Sequence, residues 1–249
     1  MNALHQPPFP AFRRRPPLHF AKWAALALCF LLTACDRFPK DPEGSLEKAQ
    51  ERGTLRVGLF ENPPWVIPHE GQAPGGLEPQ LVQGFADELG LQVAWHEQGA
   101  EDAFDALEHH QLDLVIGGMT QKNPWAKHVG TTLPYLKTRS IIATPTGEAP
   151  AQNAPVAVKK DSVLAALLES QSYTPQPMDD LAQAEGAVAA PQWQAAALGL
   201  QETGVVLQQK KHVMAVPRGE NALLMHLESY LLEAGKQHSL ETQLKETAR

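Results

Sequence analysis

The chain has 249 residues but only two cysteines, Cys29 and Cys35. From Asp36 onward there is no thiol, which excludes a disulfide framework, a cysteine nucleophile and a cysteine-held metal. Aromatic residues are sparse, at 6%. No apolar run reaches the ~20 residues needed to cross a bilayer. No internal repeat is visible, and neither is a nucleophile elbow or a phosphate-binding loop. His109 and His110 with Asp113 offer metal-ligand types, but they straddle a helix end and a strand, so their side chains diverge. We expect no metal and no cofactor. Basic residues are also short, 21 against 28 acidic ones, for a net charge of −7. That balance argues against nucleic acid and against electrostatic docking on anionic lipid.

What is present begins with an export signal. Arg13, Arg14, Arg15 and Lys22 flank an apolar run from Trp23 to Leu32 that has the length of a secretory signal peptide. The run ends in Leu32-Thr33-Ala34-Cys35, which resembles the lipobox of bacterial lipoproteins. The resemblance implies cleavage of residues 1–34, lipidation of Cys35 and a membrane anchor outside the cytoplasm. The alternative is an ordinary signal peptide or an uncleaved anchor. Asp36 resembles the enteric signal for inner-membrane retention, with the outer membrane as the alternative. Residues 35–44 are polar and read as a tether. Losing residues 1–34 removes four of the 21 basic residues and no acidic one, leaving the remaining 215 residues at −11.

The rest alternates between strand and helix. Residues 45–52 read as a helix capped by Ser45 and stopped by Gly53, and residues 54–60 as a strand. Apolar spacings of three and four predict a helix over 79–89, with a strand at 91–96, a helix at 101–109 and a strand at 112–116. Strand and helix alternating in fewer than 70 residues imply parallel βαβ units. Ligands bind beyond the carboxyl ends of such strands. That places Asn62 to Trp65 and Gly117 to Thr120 on the rim of a site. A strand at 140–143 follows. Beyond the Pro/Gly/Ala-rich stretch at 144–155 lies a smaller unit: a strand at 156–158, helices at 162–169 and 179–185, a strand at 187–189 and a helix at 192–200. A strand at 213–216 and helices at 222–234 and 239–247 complete the chain.

Several stretches together resemble a family. They are Arg52-Gly53-Thr54-Leu55-Arg56-Val57-Gly58, Pro63-Pro64-Trp65, Gly76-Leu77-Glu78 with Phe85-Ala86-Asp87-Glu88-Leu89-Gly90, Leu112 to Thr120, Pro134-Tyr135 and Met214 to Glu220. In this order they resemble the family 3 bacterial solute-binding proteins. The resemblance implies an α/β protein with the two-lobed periplasmic-binding-protein type 2 fold, each lobe a small mixed sheet flanked by helices. The large lobe is expected at 45–139 and 213–249 and the small lobe at 140–212. The Gly76-Leu77-Glu78 segment is also similar to the binding-protein-like domain of membrane-bound lytic transglycosylases of the F type. Because the chain ends at Arg249, we expect that domain alone, without a catalytic one.

The chain departs from the family at the amino-acid clamp. The arginine that would hold a ligand carboxylate falls at Trp125, and the acidic residue that would meet the ammonium falls at Ala190. Lys122 and Lys127 flank Trp125, but a lysine lacks the planar fork that matches a carboxylate. The candidate ligand contacts are Asn62, Trp65, Gly118, Thr120, Trp125, Arg139 and Ser162. Trp65 is either an aromatic wall or a packed rim residue, Trp125 a second wall or hinge filling, and Ser162 an anion donor or a helix cap. The expected function is a monomeric, lipid-anchored receptor that closes on a small polar or aromatic molecule for an inner-membrane ABC permease. Two other readings stay open, a binding-only sensor of cell-envelope ligands and a cyclic-acid dehydratase.

Overall fold

The computed structural model describes residues 41–237 and 239–247. The expected signal peptide, Cys35 and Asp36 lie outside them. Helix α1 (Ser45–Arg52) leads through Gly53, in the left-handed region, into strand β1 (Thr54–Leu59). Helix α2 (Leu77–Glu88), strand β2 (Gln92–Glu97), helix α3 (Ala100–Glu108) and strand β3 (Leu114–Ile116) follow. β1 lies between β2 and β3 and is parallel to both, as the βαβ pattern predicts. Two short strands, β4 (Gly130–Thr131) and a late return strand at 215–216, complete a five-stranded sheet.

Alternation along β1 sorts this sheet's two faces. Leu55, Val57 and Leu59 pack with Leu77, Leu81, Val82 and Phe85 of α2. Val115 of β3 packs on the other face with Ala103, Phe104 and Leu107 of α3. Full burial of each large apolar side chain contributes about 1.5–3 kcal/mol. Asp113 enters this sheet buried between two arginines. Its Oδ1 accepts from Arg56 Nη2 at 2.7 Å and its Oδ2 accepts from Arg52 Nη2 at 2.7 Å and from the Arg56 amide at 2.8 Å.

The second sheet holds β5 (Leu136–Thr144), β6 (Pro155–Lys159), β7 (Thr174–Met178), β8 (Val188–Pro191) and β9 (Gln201–His212), in the order β7-β6-β8-β5-β9. Helix α4 (Leu164–Ser170) packs Leu164 and Leu168 on Ile142, Val156 and Val158. Helix α5 (Gln192–Ala197) places Ala195 on Ile141 and Ala143. The chain returns through β10 (Ala215–Val216) to helices α6 (Asn221–Gln237) and α7 (Leu240–Thr247). Leu240 and Leu244 of α7 belong to the core of the first sheet, and Trp193 of α5 packs against that core. The C-terminal helix therefore touches elements of both sheets.

Several local expectations are corrected. Ser45 is not a side-chain cap; it is the first helical residue, and its amide donates to Glu220 Oε2 at 2.8 Å. Asp41 in turn accepts from the Ala222 amide at 2.7 Å, so the starts of α1 and α6 are capped by carboxylates from beside the other helix. This pins the end of the expected tether. Residues 179–185 form only a short 3-10 turn, Leu181–Gln183, because the Asp180 side chain takes the Ala182 amide in a local turn. β7 was not expected, because two prolines interrupt it; as an edge strand it tolerates them. β9 was missed because its polar run carries no apolar alternation. The expected strand at 213–216 is a strand of the first sheet only at 215–216.

Candidate functional site

The carboxyl ends of β1 and β3 share one edge of the first sheet, and a turn follows each. After β1, the Asn62 carbonyl accepts from the Trp65 amide at 2.8 Å, and the turn contains a cis peptide between Pro63 and Pro64. Asn62 Nδ2 then crosses to the second turn and donates to the Gly117 carbonyl at 2.8 Å. Gly118 has φ +67°, and a Cβ on it would lie 2.5 Å from the Trp65 ring. The indole therefore lies directly on a backbone that only glycine supplies at this position. Of the rim residues expected from the sequence, Asn62, Trp65 and Gly118 are brought together.

A buried carboxylate holds the rim from below. Glu78 is fully buried in the first turn of α2, and its Oε2 accepts from the amides of Gly117 at 2.7 Å and Gly118 at 2.8 Å. Its Oε1 accepts from the Tyr135 hydroxyl, which stands just before β5. Burial raises the Glu78 pKa, and the hydrogen bonds from Tyr135, Gly118 and Gly117 oppose that rise. The Tyr135 hydroxyl is pushed well above its ordinary value, by burial first and by the Glu78 charge second, so it stays a donor. Sequence reasoning assigned neither residue a role. The available signal was an acidic residue among the inward positions of an otherwise apolar first turn.

The second sheet meets the first at the crossing of β5 and β9. β9 ends in His212, and Thr120 bridges to it. Trp65 and His212 stack with ring centroids 3.8 Å apart and planes 23° apart. Nδ1 of His212 faces the Gly118 carbonyl at 3.2 Å, and since a carbonyl only accepts, that nitrogen carries the proton. Nε2 then accepts from the Thr138 hydroxyl of β5 at 2.9 Å. Burial, the largest cause, lowers the His212 pKa to about 4, so the ring is neutral at pH 7. His212 was missed in the sequence because nothing marks a lone histidine at the end of a polar strand.

Trp125, Arg139 and Ser162 make their contacts outside this cluster, and Thr120 joins it through its backbone bridge to His212. Trp125 stacks on Phe104 at 4.2 Å and 10°, on the α3 face of the first sheet. The Thr120 hydroxyl donates to the Lys122 carbonyl at 3.2 Å. Arg139 of β5 reaches Gln192 Oε1 at 3.2 Å and Glu202 Oε2 at 3.1 Å. Ser162 lies after β6, where its hydroxyl accepts from the Leu164 amide at 3.2 Å, which is the capping alternative in geometry. In the second sheet the carboxyl ends of β6 and β8 lie level with the middle of β5, Ser140 opposite Pro191, and the first half of β5 runs on beyond them beside β9 to Leu136 opposite His212. Both sheets thus turn their strand ends toward the β5/β9 crossing. Among the described residues, no group of three or more His, Cys, Asp or Glu could hold a metal ion, and no helix is long and apolar enough to cross a membrane.

Comparison with known proteins decides the family. The model of the bacterial extracellular solute-binding proteins, family 3, matches residues 55–246. The chain belongs to that family. Among solved structures, this family 3 chain is similar to an ancestral cationic amino acid solute-binding protein, with 18% identity, a TM-score of 0.64 and coverage of 83% of this chain and 100% of that one. A polar amino acid uptake transporter substrate-binding protein from Streptococcus thermophilus gives 10% identity and a TM-score of 0.67, covering 82% and 89%. These likenesses establish the two-lobed type 2 fold. In sequence, the family 3 chain is 36% identical over 103 residues to membrane-bound lytic murein transglycosylase F of Vibrio cholerae serotype O1, 41% of this chain and 19% of that protein. The Yersinia pestis protein of the same name gives 33% over 100 residues, 38% and 20%. The chain thus spans about a fifth of the length of these relatives.

The residues that the resemblance implies at the amino-acid clamp, Trp125 and Ala190, have the following surroundings. Trp125 is engaged with Phe104, and Ala190 is fully buried against α5-side residues Ala157, Val188 and Leu181. Neither presents a charge to the β5/β9 crossing.

Proposed function

We propose that this chain is a lipid-anchored, extracytoplasmic solute receptor whose two lobes close on a small polar or aromatic molecule, with no bond made or broken. The lobes are residues 45–139 with 213–249, and 140–212. The observation that carries this reading is the Trp65–His212 stack at the crossing of β5 and β9. The stack is buried, with Trp65 5% and His212 3% exposed, and forms the uncharged base of the place where the strand ends of both sheets converge. The family assignment supports ligand binding, and the cationic and polar amino acid binding of the structural relatives shows what the fold accommodates. With Trp125 and Ala190 at the clamp positions, a free α-amino acid lacks both its carboxylate fork and its ammonium partner. Asn62, Trp65, Gly118, Thr120, Arg139 and Ser162 are the proposed contacts. Delivery to an inner-membrane ABC permease follows from this role, with Cys35 and Asp36 as anchor and retention signal.

A second reading is favoured by one observation, the 33–36% identity to the murein transglycosylases over 100–103 residues. On that reading the chain senses cell-wall fragments and passes nothing on. The dehydratase reading ranks last, because it needs a carboxylate open to substrate. The carboxylate beneath this rim, Glu78, is fully buried and holds two amides and a hydroxyl.

The test is a thermal-shift screen of the full chain in mild detergent with amino acids, cyclic carboxylic acids and muropeptides. A ligand at 100 times its Kd raises stability by about 2.7 kcal/mol. We expect no shift with free amino acids and a shift with a member of the other classes. A clear shift with a common amino acid would overturn the reading of Trp125 and Ala190.

A further inference from the structure

The outer edge of β9 carries a backbone pairing that begins and then stops. β9 is the last strand of its sheet and pairs with β5 on one side only. On its open side the chain at 119–121 begins a third strand: the Val213 amide donates to the Met119 carbonyl at 3.1 Å and the Gln121 amide to the Lys211 carbonyl at 2.8 Å. The pairing then stops. Asn123 Nδ2 folds back onto the Thr120 carbonyl at 2.8 Å, and the chain turns into the 3-10 helix Pro124–Lys127. Backbone groups alternate in direction along a strand. Since the Lys211 carbonyl points outward, so do the amide and carbonyl of Gln209. Among the described residues nothing pairs with that rung. The next outward point is met only by a side chain, Gln171 Nε2 on the Val206 carbonyl at 3.3 Å.

The gap left by the departing chain is a cavity of about 530 Å³ lined by Thr120, Gln121, Lys122 and the run Gln208 to Lys211. That volume falls in the range of ligand sites, about 300–1,000 Å³. Its lining contains three lysines and no carboxylate, in a chain whose net charge is −7. A polar edge strand with lysines is a common guard against strand addition. Here, however, the lysines line a recess, and they flank an unfilled rung next to one already filled by this chain's own residues.

We propose that this recess binds an acidic peptide in extended conformation. The peptide continues the interrupted third strand, pairs with the outward backbone of Gln209 and sets its carboxylates against Lys122, Lys210 and Lys211. Main-chain pairing supplies the alignment and the lysines supply selection for negative charge. Thr120 borders both this recess and the Trp65–His212 stack, so the two sites adjoin, but the peptide proposal rests on the β9 edge and stands whether or not the crevice takes the ligand proposed above.

The experiment measures fluorescence anisotropy of a labelled (Glu-Val)₃ peptide titrated with the full chain in mild detergent, at low and at raised salt. Saturable binding is expected, weakening with salt. Three comparisons decide the mode. K210E/K211E should weaken binding at least tenfold with an unchanged melting temperature. Gln209→Pro removes the outward amide, which an edge position tolerates, and should also weaken binding at least tenfold while leaving the charge intact. The same peptide N-methylated at alternate residues, with identical charge, should fail to bind. The strand-addition proposal is overturned by no saturable binding, by equal binding of the N-methylated peptide, or by equal binding of (Lys-Val)₃. Equal affinity of Gln209→Pro overturns the assigned rung.

Discussion

The two rims that face each other across the β5/β9 crossing are held by different kinds of contact. The first sheet's rim rests on buried groups. Glu78 takes the two glycine amides and the Tyr135 hydroxyl, and the Trp65 indole lies between Gly118 and His212. The second sheet's rim carries half-exposed polar contacts, Arg139 on Glu202 and Gln192, and Ser162 on a helix-start amide. Buried polar contacts are costly to break and so fix one geometry, whereas exposed ones contribute little and leave side chains free to regroup. On the proposed receptor reading, the first rim is the fixed jaw and the second the adaptable one.

The largest test of that difference is at Glu78. Glu78→Ala leaves the buried Gly117 amide, the half-buried Gly118 amide and the Tyr135 hydroxyl without their carboxylate partner. The expected loss is about 4 kcal/mol, from penalties of about 1–3 kcal/mol per orphaned group. At about 2–4 °C per kcal/mol, melting falls by about 8–16 °C. Glu78→Gln is expected to stay within about 1 kcal/mol, because its carbonyl oxygen still accepts both amides and its NH₂ donates to the Tyr135 oxygen. If urea melts show the two variants equally damaged, the hydrogen-bonding account of this rim fails. Trp65→Ala follows closely, at about 3–5 kcal/mol, the usual cost of emptying a buried indole site. Trp125→Ala should cost less, since Trp125 is only partly buried on Phe104.

This contrast also governs what could be read in advance. The first sheet was legible because its buried helix face repeats at three and four residues, its strands are apolar, and its turns carry glycine and proline. The second sheet was legible only in its apolar strands. β9 is a polar edge strand, and β7 holds two prolines, so neither shows the apolar alternation used to find strands. At the site, Asn62, Trp65 and Gly118 were found because position after a parallel strand is a sequence property. Glu78, Tyr135 and His212 were not assigned roles, because the hydrogen-bond partners of their side chains lie 39 to 94 residues away. Long-range pairing of that kind leaves no local pattern.

A smaller effect is expected from acid at the crossing. Burial depresses the His212 pKa from 6.5 to about 4. The native state therefore resists a proton that the unfolded chain accepts. This contribution to stability is complete above about pH 6.5 and is lost as pH falls toward 4, amounting to about 3 kcal/mol across the window. Glu78 acts in the opposite sense, since its raised pKa makes the native state the tighter proton binder. The two are separated by difference: the stability of wild type minus His212→Gln should shrink between pH 7.5 and pH 4.5. A constant difference would mean that the imidazole is not held neutral by this packing.

The smallest changes belong to the second rim, and they carry the most information about ligand. Arg139 is 41% exposed in its side chain and pairs with a Glu202 that is 40% exposed, so the ion pair is screened and contributes at most about 1 kcal/mol. Ser162→Ala removes one amide acceptor at the start of α4, also worth about 1 kcal/mol or less. Neither variant should move the melting temperature by more than a few degrees. Once the thermal-shift screen has supplied a ligand, the same two proteins separate structure from recognition. If the second rim is the adaptable jaw, Arg139→Ala lowers ligand affinity severalfold while the unliganded melt stays near wild type, because the guanidinium exchanges Glu202 for ligand on closure. If affinity is unchanged, Arg139 serves only its neighbours, and selection of ligand rests with the first rim.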